Sequence, residues 1–114
     1  MKLRTAMLAA TILVSGSASA LADPIEGTWL RPSTGTLVRY EKAGDQYCGT
    51  VMTGEHEGKS IGCMQNAGSE YKGNVIAVDE GKTYTGKATI TGDTMKLYGC
   101  VLGILCKGED WQRQ

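Results

Sequence analysis

Turn-forming residue clusters recur along the chain at short, regular intervals, and this spacing constrains the fold more than any other feature. Seven clusters rich in Gly, Asp, Asn, Ser and Pro follow one another about every 11–12 residues. They lie at residues 32–35, 43–45, 54–58, 66–69, 79–81, 91–93 and around Gly103. Seven turns bound eight short segments, so the sequence predicts about eight β-strands.

The segments between the turns have the composition and the alternation of strands. They are rich in Thr, Val, Ile and Tyr, and in residues 94–98 Met95 and Leu97 share one face. No segment after residue 22 repeats apolar residues every three to four positions. Short connections favour antiparallel neighbours, and closure removes exposed sheet edges. We therefore expect one all-β domain over residues 23–114, a small antiparallel up-and-down β-barrel of about eight strands, with a two-sheet sandwich as the alternative.

The first 22 residues predict a cleaved secretory signal peptide. Lys2 and Arg4 precede an apolar run at residues 6–14, and small residues follow with cleavage sites after Ala20 or Ala22. The apolar run is shorter than the roughly 20 residues of a membrane-spanning helix. An uncleaved anchor is thus the weaker alternative, and we expect a periplasmic or secreted protein that does not span a membrane.

The charge of the remaining chain limits its partners. Loss of Lys2 and Arg4 from a chain with 12 basic and 12 acidic residues leaves two more acidic than basic residues. These charges are interspersed, with no run of Lys or Arg. The distribution argues against nucleic acid and anionic lipid as electrostatic partners.

Four cysteines, Cys48, Cys63, Cys100 and Cys106, predict two disulfide bonds in an exported domain of this size. Three pairings can be drawn. Cys48 and Cys63 lie symmetrically about the 54–58 turn, and Cys100 and Cys106 flank residues 101–105, which favours the sequential pairing. A structural zinc site is the alternative, but the chain has one His and no Cys-x-x-Cys.

Aromatic residues stand at both ends of the expected domain. Gly27-Thr28-Trp29 resembles the start of lipocalin-type barrels, in which a Trp fills the closed end and a late Arg packs across its ring. That resemblance implies barrel closure by Trp29, Trp111 and Arg113, with a cation–π contact from the Arg.

A second resemblance covers most of the chain after residue 22. The segments that carry it are residues 23–29, 47–51, 79–86, 97–100 and 107–113. Its most specific parts are Gly81-Lys82-Thr83-Tyr84 and the ending Gly99-Cys100 followed by Trp111-x-Arg113. They are similar to an exported bacterial family called domain of unknown function 2147. The resemblance implies a lipocalin-like barrel and export, and it assigns no activity.

No group of residues has the pattern of a catalytic, cofactor or metal site. His56 lies between Glu55 and Glu57 in a Gly-bounded turn, which we interpret as a solvated polar loop. Residues 81–83 lack the upstream Gly of a phosphate-binding loop. The carboxylate pairs 79–80 and 109–110 are adjacent in sequence, so on a strand they point to opposite faces. We expect a protein that is not an enzyme and holds no cofactor.

The leading functional hypothesis is the binding of a small apolar or mixed ligand inside the barrel, within the bacterial envelope. Candidate pocket residues are Val51, Ile76, Tyr84, Met95 and Leu97. The alternative is a disulfide-braced module with a filled barrel that binds or inhibits an envelope protein through residues 54–58 or 82–91. Neither hypothesis predicts an oligomeric state.

Overall fold

Eight strands form in the computed structural model, which describes residues 22–102 and 104–114. They are β1 Gly27–Arg31, β2 Thr36–Ala43, β3 Gln46–Val51, β4 Ser60–Asn66, β5 Tyr71–Ala77, β6 Lys82–Thr91, β7 Thr94–Val101 and β8 Leu105–Arg113. Each strand pairs antiparallel with the next, and β8 pairs with β1 to close a barrel. The predicted up-and-down barrel is confirmed, and the two-sheet sandwich is excluded. The predicted signal peptide lies outside the described residues, except for Ala22.

Two of the hairpins show how the turn residues produce this meander. Ala43 and Gln46 are opposite each other on β2 and β3, and Thr91 and Thr94 on β6 and β7. Each pair leaves a two-residue loop of Gly followed by Asp, with the Gly at positive φ. A Gly at the first central position is the pattern of a type II′ turn, whose twist matches that of the strands.

The core consists of the side chains that alternate onto the inner face of the barrel. Trp29, Tyr40, Met64 and Met95 are fully buried. The other buried apolar members of this core are Ile25, Val38, Val51, Ile61, Tyr71, Ala88, Leu97 and Trp111. The alternation predicted for residues 94–98 is present, because Met95 and Leu97 are both in the core.

Both disulfide bonds join residues that face each other across a hairpin. Cys48 is opposite Cys63 in the β3–β4 register, and Cys100 is opposite Cys106 in the β7–β8 register. The bonds are Cys48–Cys63 and Cys100–Cys106, which is the sequential pairing. No cysteine of the described residues is free. The two bonds therefore brace two neighbouring-strand pairs rather than linking distant parts of the barrel.

The seam between the first and last strands is the shortest ladder of the barrel. β1 and β8 pair only through Trp29 with Arg113 and Leu30 with Gln112. A backbone hydrogen bond from Gln114 N to Thr28 O, 2.9 Å long, extends the seam in one direction. In the other direction the strands are joined by side chains, the Arg31–Glu109 ion pair. Side-chain chemistry therefore completes the closure that the backbone begins.

One further property of the fold concerns helices. Within the described ranges, no helix is long and apolar enough to cross a membrane.

Candidate functional site

The two ends of the barrel are built differently. Because successive turns of an up-and-down barrel alternate between its ends, connections 32–35, 52–59 and 78–81 share one end with the described residues of the β7–β8 connection, and we call this end the mouth. Connections 44–45, 67–70 and 92–93 share the other, together with residues 23–26 that lead into β1. We call this second end the closed end. A cavity of about 520 Å³ opens at the mouth.

Residues 23–26 cover the closed end by docking onto Trp29 and Arg113. The Trp29 indole Nε1 donates a hydrogen bond of 2.9 Å to the Ile25 carbonyl, and Ile25 is fully buried. The Arg113 guanidinium lies over the Trp29 ring, 4.3 Å from its centroid. It also donates to the carbonyl oxygens of Glu26, at 2.9 Å, and Pro24, at 2.6 Å. The contact between Trp29 and Arg113 is the one that the lipocalin-type resemblance implies. Trp111, expected at the same closure, instead lines the mouth cavity and donates to Glu109.

A carboxylate and two tyrosines secure the start of this covering segment. The Asp23 carboxylate accepts hydrogen bonds from the hydroxyls of Tyr47, at 3.1 Å, and Tyr71. The two rings meet edge to face, with centroids 6.2 Å apart. Desolvation and the Asp23 carboxylate raise the pKa of Tyr47, which keeps its hydroxyl protonated as the donor. The closed end is therefore filled by contacts that satisfy its polar groups.

The floor of the mouth cavity is apolar. Val38, Val51 and Ile61 line it from β2, β3 and β4, and Leu97 and Trp111 line it from β7 and β8. All five are buried, so they present packed apolar surface to the cavity rather than mobile side chains. Hydroxyl groups of Thr34, Thr36 and Thr53 lie above them toward the rim. The cavity thus combines an apolar base with a polar upper wall.

An ion pair stands in that wall. Arg31 Nε donates to Glu109 Oε1 at 2.8 Å, and Arg31 Nη2 donates to Glu109 Oε2 at 2.7 Å. Trp111 Nε1 donates to Glu109 Oε1 at 3.1 Å. The hydrogen bond between the pair raises the pKa of Arg31 and lowers that of Glu109, so both remain charged near neutral pH. Each group is about one-third exposed, at 37% and 38%, and is accessible to a molecule in the cavity.

Three of the five predicted pocket residues line this cavity, namely Val51, Ile76 and Leu97. Met95 faces the interior but is opposite Ile90 and Trp111, close to the turns of the closed end, so the core covers it completely. Tyr84 directs its hydroxyl to Glu80, 2.7 Å away, and is not part of the lining. Inward alternation alone does not tell how far along the barrel axis a residue lies, which is why these two residues differ from expectation.

The predicted solvated loop around His56 forms part of the rim. His56 lines the cavity edge, with Nε2 3.8 Å from the Glu55 carboxylate and Nδ1 3.4 Å from Lys59 Nζ. Among residues 22–102 and 104–114, no three His, Cys, Asp or Glu side chains group in a way that could hold a metal ion. The rim therefore offers hydrogen-bonding groups around an opening.

Sequence reasoning missed the ion pair at the cavity wall. Arg31 follows Trp29 by two residues on β1, and Glu109 precedes Trp111 by two on β8. A period of two places each charged residue on the same face as its aromatic neighbour. That alternation was the available signal for two charged side chains inside the barrel.

The family comparison agrees with the resemblance in the sequence. A model of an uncharacterized protein family conserved in bacteria, DUF2147, matches residues 58–113. Residues 58–113 belong to this family. The DUF2147 match covers β4–β8, including Glu109, Trp111 and Arg113, whereas Arg31 and Val38 lie before it. No curated protein and no solved structure matches the chain.

Proposed function

We propose that this barrel binds a small ligand with an apolar body and a polar group, in the mouth cavity. The observation that supports the proposal is the open cavity with an apolar floor and an ion pair in its wall. Its volume of about 520 Å³ falls within the roughly 300–1,000 Å³ of typical small-molecule sites. A filled barrel, which the interaction-module alternative requires, does not account for this space.

The cavity wall favours a ligand that is not purely apolar. Floor residues such as Val38, Leu97 and Trp111 would pack against the apolar body. Arg31 and Glu109 already satisfy each other, and Trp111 adds a third hydrogen bond. Because both charges are compensated, a ligand group can accept from the guanidinium or donate to the carboxylate without leaving a buried charge unpaired.

The same ion pair favours binding over catalysis. General acid–base catalysts work best when their pKa lies near the operating pH. Pairing shifts the pKa of Arg31 upward and that of Glu109 downward, so each moves away from neutrality. We therefore propose a binding protein rather than an enzyme.

The compartment is also part of the proposal. Two disulfide bonds favour an oxidising location outside the cytoplasm. We propose that the protein is exported to the bacterial envelope and that the N-terminal signal peptide, residues 1–22, is cleaved during export. Cell fractionation and the intact mass of the protein from the native host test this part, since cytoplasmic recovery of the full-length chain would contradict it.

Ligand binding is tested with oxidised protein isolated from a bacterial periplasm. Masses measured under native and denaturing conditions should differ by the mass of a co-purified ligand, or an emptied sample should bind 1-anilinonaphthalene-8-sulfonate with enhanced fluorescence. Thr36→Trp fills the upper cavity from β2, and it should abolish both signals. The matched control is Thr85→Trp, which places the same side chain on an exposed position of β6. Equal binding by both variants, or no binding by the parent, would overturn the proposal.

A further inference from the structure

An apolar tip projects from the mouth. It consists of Val101, Leu102, Ile104 and Leu105, at the end of the β7–β8 hairpin, with exposures of 49%, 87%, 78% and 68%. Among the described residues, the other exposed large hydrophobic side chain is Met52, which lies in the 52–59 connection at the same end. The exposed large hydrophobic side chains of the described residues thus all lie at the mouth.

The tip extends beyond the ladders on both of its sides. The β6–β7 ladder ends at Thr85 with Cys100, one residue before the tip. On the other side, β8 pairs with β1 no nearer to the tip than Gln112. The Cys100–Cys106 bond closes the base of the tip, and Val101 is opposite Leu105 above it. The four side chains are therefore held together on a narrow, covalently closed projection.

The backbone of the tip also differs from the other turns. Leu102 has φ of 55°, and it is the one non-glycine residue of the described chain at positive φ. The remaining connections at the mouth contain Ser, Thr, Asp or Glu, as water-exposed turns usually do. Solvent exposure alone does not explain a turn of this kind. The exposed side chains described in it are all aliphatic, and one of these residues has a disfavoured backbone conformation.

The size and shape of the tip decide which partner suits it. A specific protein interface buries about 800 Å² on each partner and uses roughly 20–30 residues a side. The tip offers four apolar side chains on a convex projection, far fewer than the number of residues in such an interface. A lipid interface needs no complementary shape and takes up aliphatic side chains directly. The geometry therefore favours a bilayer over a second protein.

The charges around the mouth indicate which kind of bilayer. The connections and adjoining positions at this end carry the acidic residues Glu55, Glu57, Asp79 and Glu80. They also carry the basic residues Lys59, Lys82 and Lys107. Arg31 and Glu109 neutralise each other. Without an excess of positive charge, attraction to anionic headgroups is not expected. We propose that the apolar tip inserts into the interface of a zwitterionic phospholipid bilayer and sets the mouth against the lipid.

Flotation with phosphatidylcholine vesicles tests the proposal. The parent protein should rise with the vesicles, and partition should fall at least tenfold in the double variant Leu102→Ser/Ile104→Ser. The control is Glu57→Ser/Lys59→Ser, which changes two exposed residues of another mouth connection outside the cavity lining, keeps the net charge and should partition like the parent. Replacing part of the phosphatidylcholine by phosphatidylglycerol should not increase binding.

Three results would overturn the proposal. The parent could remain with the unbound fraction, or the double variant could float as the parent does. The parent could also form an oligomer in solution that Leu102→Ser/Ile104→Ser dissociates, which would make the tip a protein interface. Thermal unfolding and the intact mass check that the double variant folds with both disulfides. The dye-binding assay of the cavity, performed without vesicles, should be unchanged, so membrane insertion and ligand binding are tested separately.

Discussion

The closed end and the mouth are made from the same eight strands, yet one is filled and the other is open. At the closed end, residues 23–26 leave the ladder and fold across the barrel axis onto Trp29 and Arg113. At the mouth, the described connections stay at the rim, and the interior contains the Arg31–Glu109 pair above an apolar floor. The difference shows that segments outside the strands decide which end of this barrel is covered and which is open.

The substitution with the largest expected effect removes the side chain at the centre of the closed end. Trp29→Ala should lower the free energy of unfolding by about 3–5 kcal/mol, because a fully buried Trp is replaced by a cavity. Trp111→Ala should cost less, since Trp111 already borders open space at the mouth. Denaturant unfolding of the oxidised proteins measures both values. If the two variants lost equal stability, the contrast between a filled and an open end would not hold energetically.

Removing the guanidinium that holds the covering segment should have the next largest effect. Arg113→Ala deletes two hydrogen bonds to backbone carbonyls and the contact with the Trp29 ring, and we expect a loss of about 2–3 kcal/mol. Arg39→Ala is the matched control, because Arg39 forms an exposed pair with Glu41 and should cost less than about 1 kcal/mol. A result for Arg113→Ala as small as the control would mean that residues 23–26 are not anchored by this side chain.

The ion pair at the mouth should contribute less and should depend on pH. Glu109→Gln should cost about 1 kcal/mol at neutral pH, because the pair is partly exposed. The pKa of Glu109 in the folded protein is lowered from 4.5, mainly by its hydrogen bond with Arg31. The stabilisation by the ion pair is therefore complete at pH values above the pKa of Glu109 in the unfolded chain. It should disappear as the pH falls through the lowered folded-state pKa. Unfolding of parent and variant across that range should converge in acid, and a constant difference would contradict the assignment.

The smallest effect concerns the core between the two ends. The Tyr40 hydroxyl is buried and has no hydrogen-bond partner among the described residues, and burial raises its pKa. Tyr40→Phe removes an unsatisfied polar group while keeping the ring, so stability should be unchanged or higher by up to about 1 kcal/mol. Thermal unfolding measures this. A clear loss of stability would show that the hydroxyl is hydrogen-bonded in solution.

Local sequence signals predicted the strands well because their causes are local. Turn residues such as the Gly44-Asp45 pair determine where the chain reverses, and alternation determines which side chains face inward. The Cys48–Cys63 pairing could also be favoured from sequence, since both residues flank one hairpin. These features need no knowledge of which strands meet at closure.

The candidate site depends on contacts that local signals do not contain. Arg31 and Glu109 are 78 residues apart, and they meet only because β1 and β8 close the barrel in one register. Likewise, the distance of Met95 from the mouth depends on where Met95 and Trp111, which are opposite each other in the β7–β8 ladder, lie along the barrel axis. Alternation indicates that each of the two charged side chains faces inward. The register between the first and last strands is set by the whole barrel, so the sequence did not indicate that the two form an ion pair.

The seam between β1 and β8 also imposes an order on folding. Trp29 at the start of the barrel and Arg113 at its end are partners in the ladder and in the ring contact. The core around Trp29 therefore cannot be completed until the chain has been synthesised through Arg113. The earlier hairpins join residues that are close in sequence, whereas closure joins residues far apart in sequence and is therefore slow. Until the last strand pairs with β1, the apolar inner surface of this barrel is exposed to solvent.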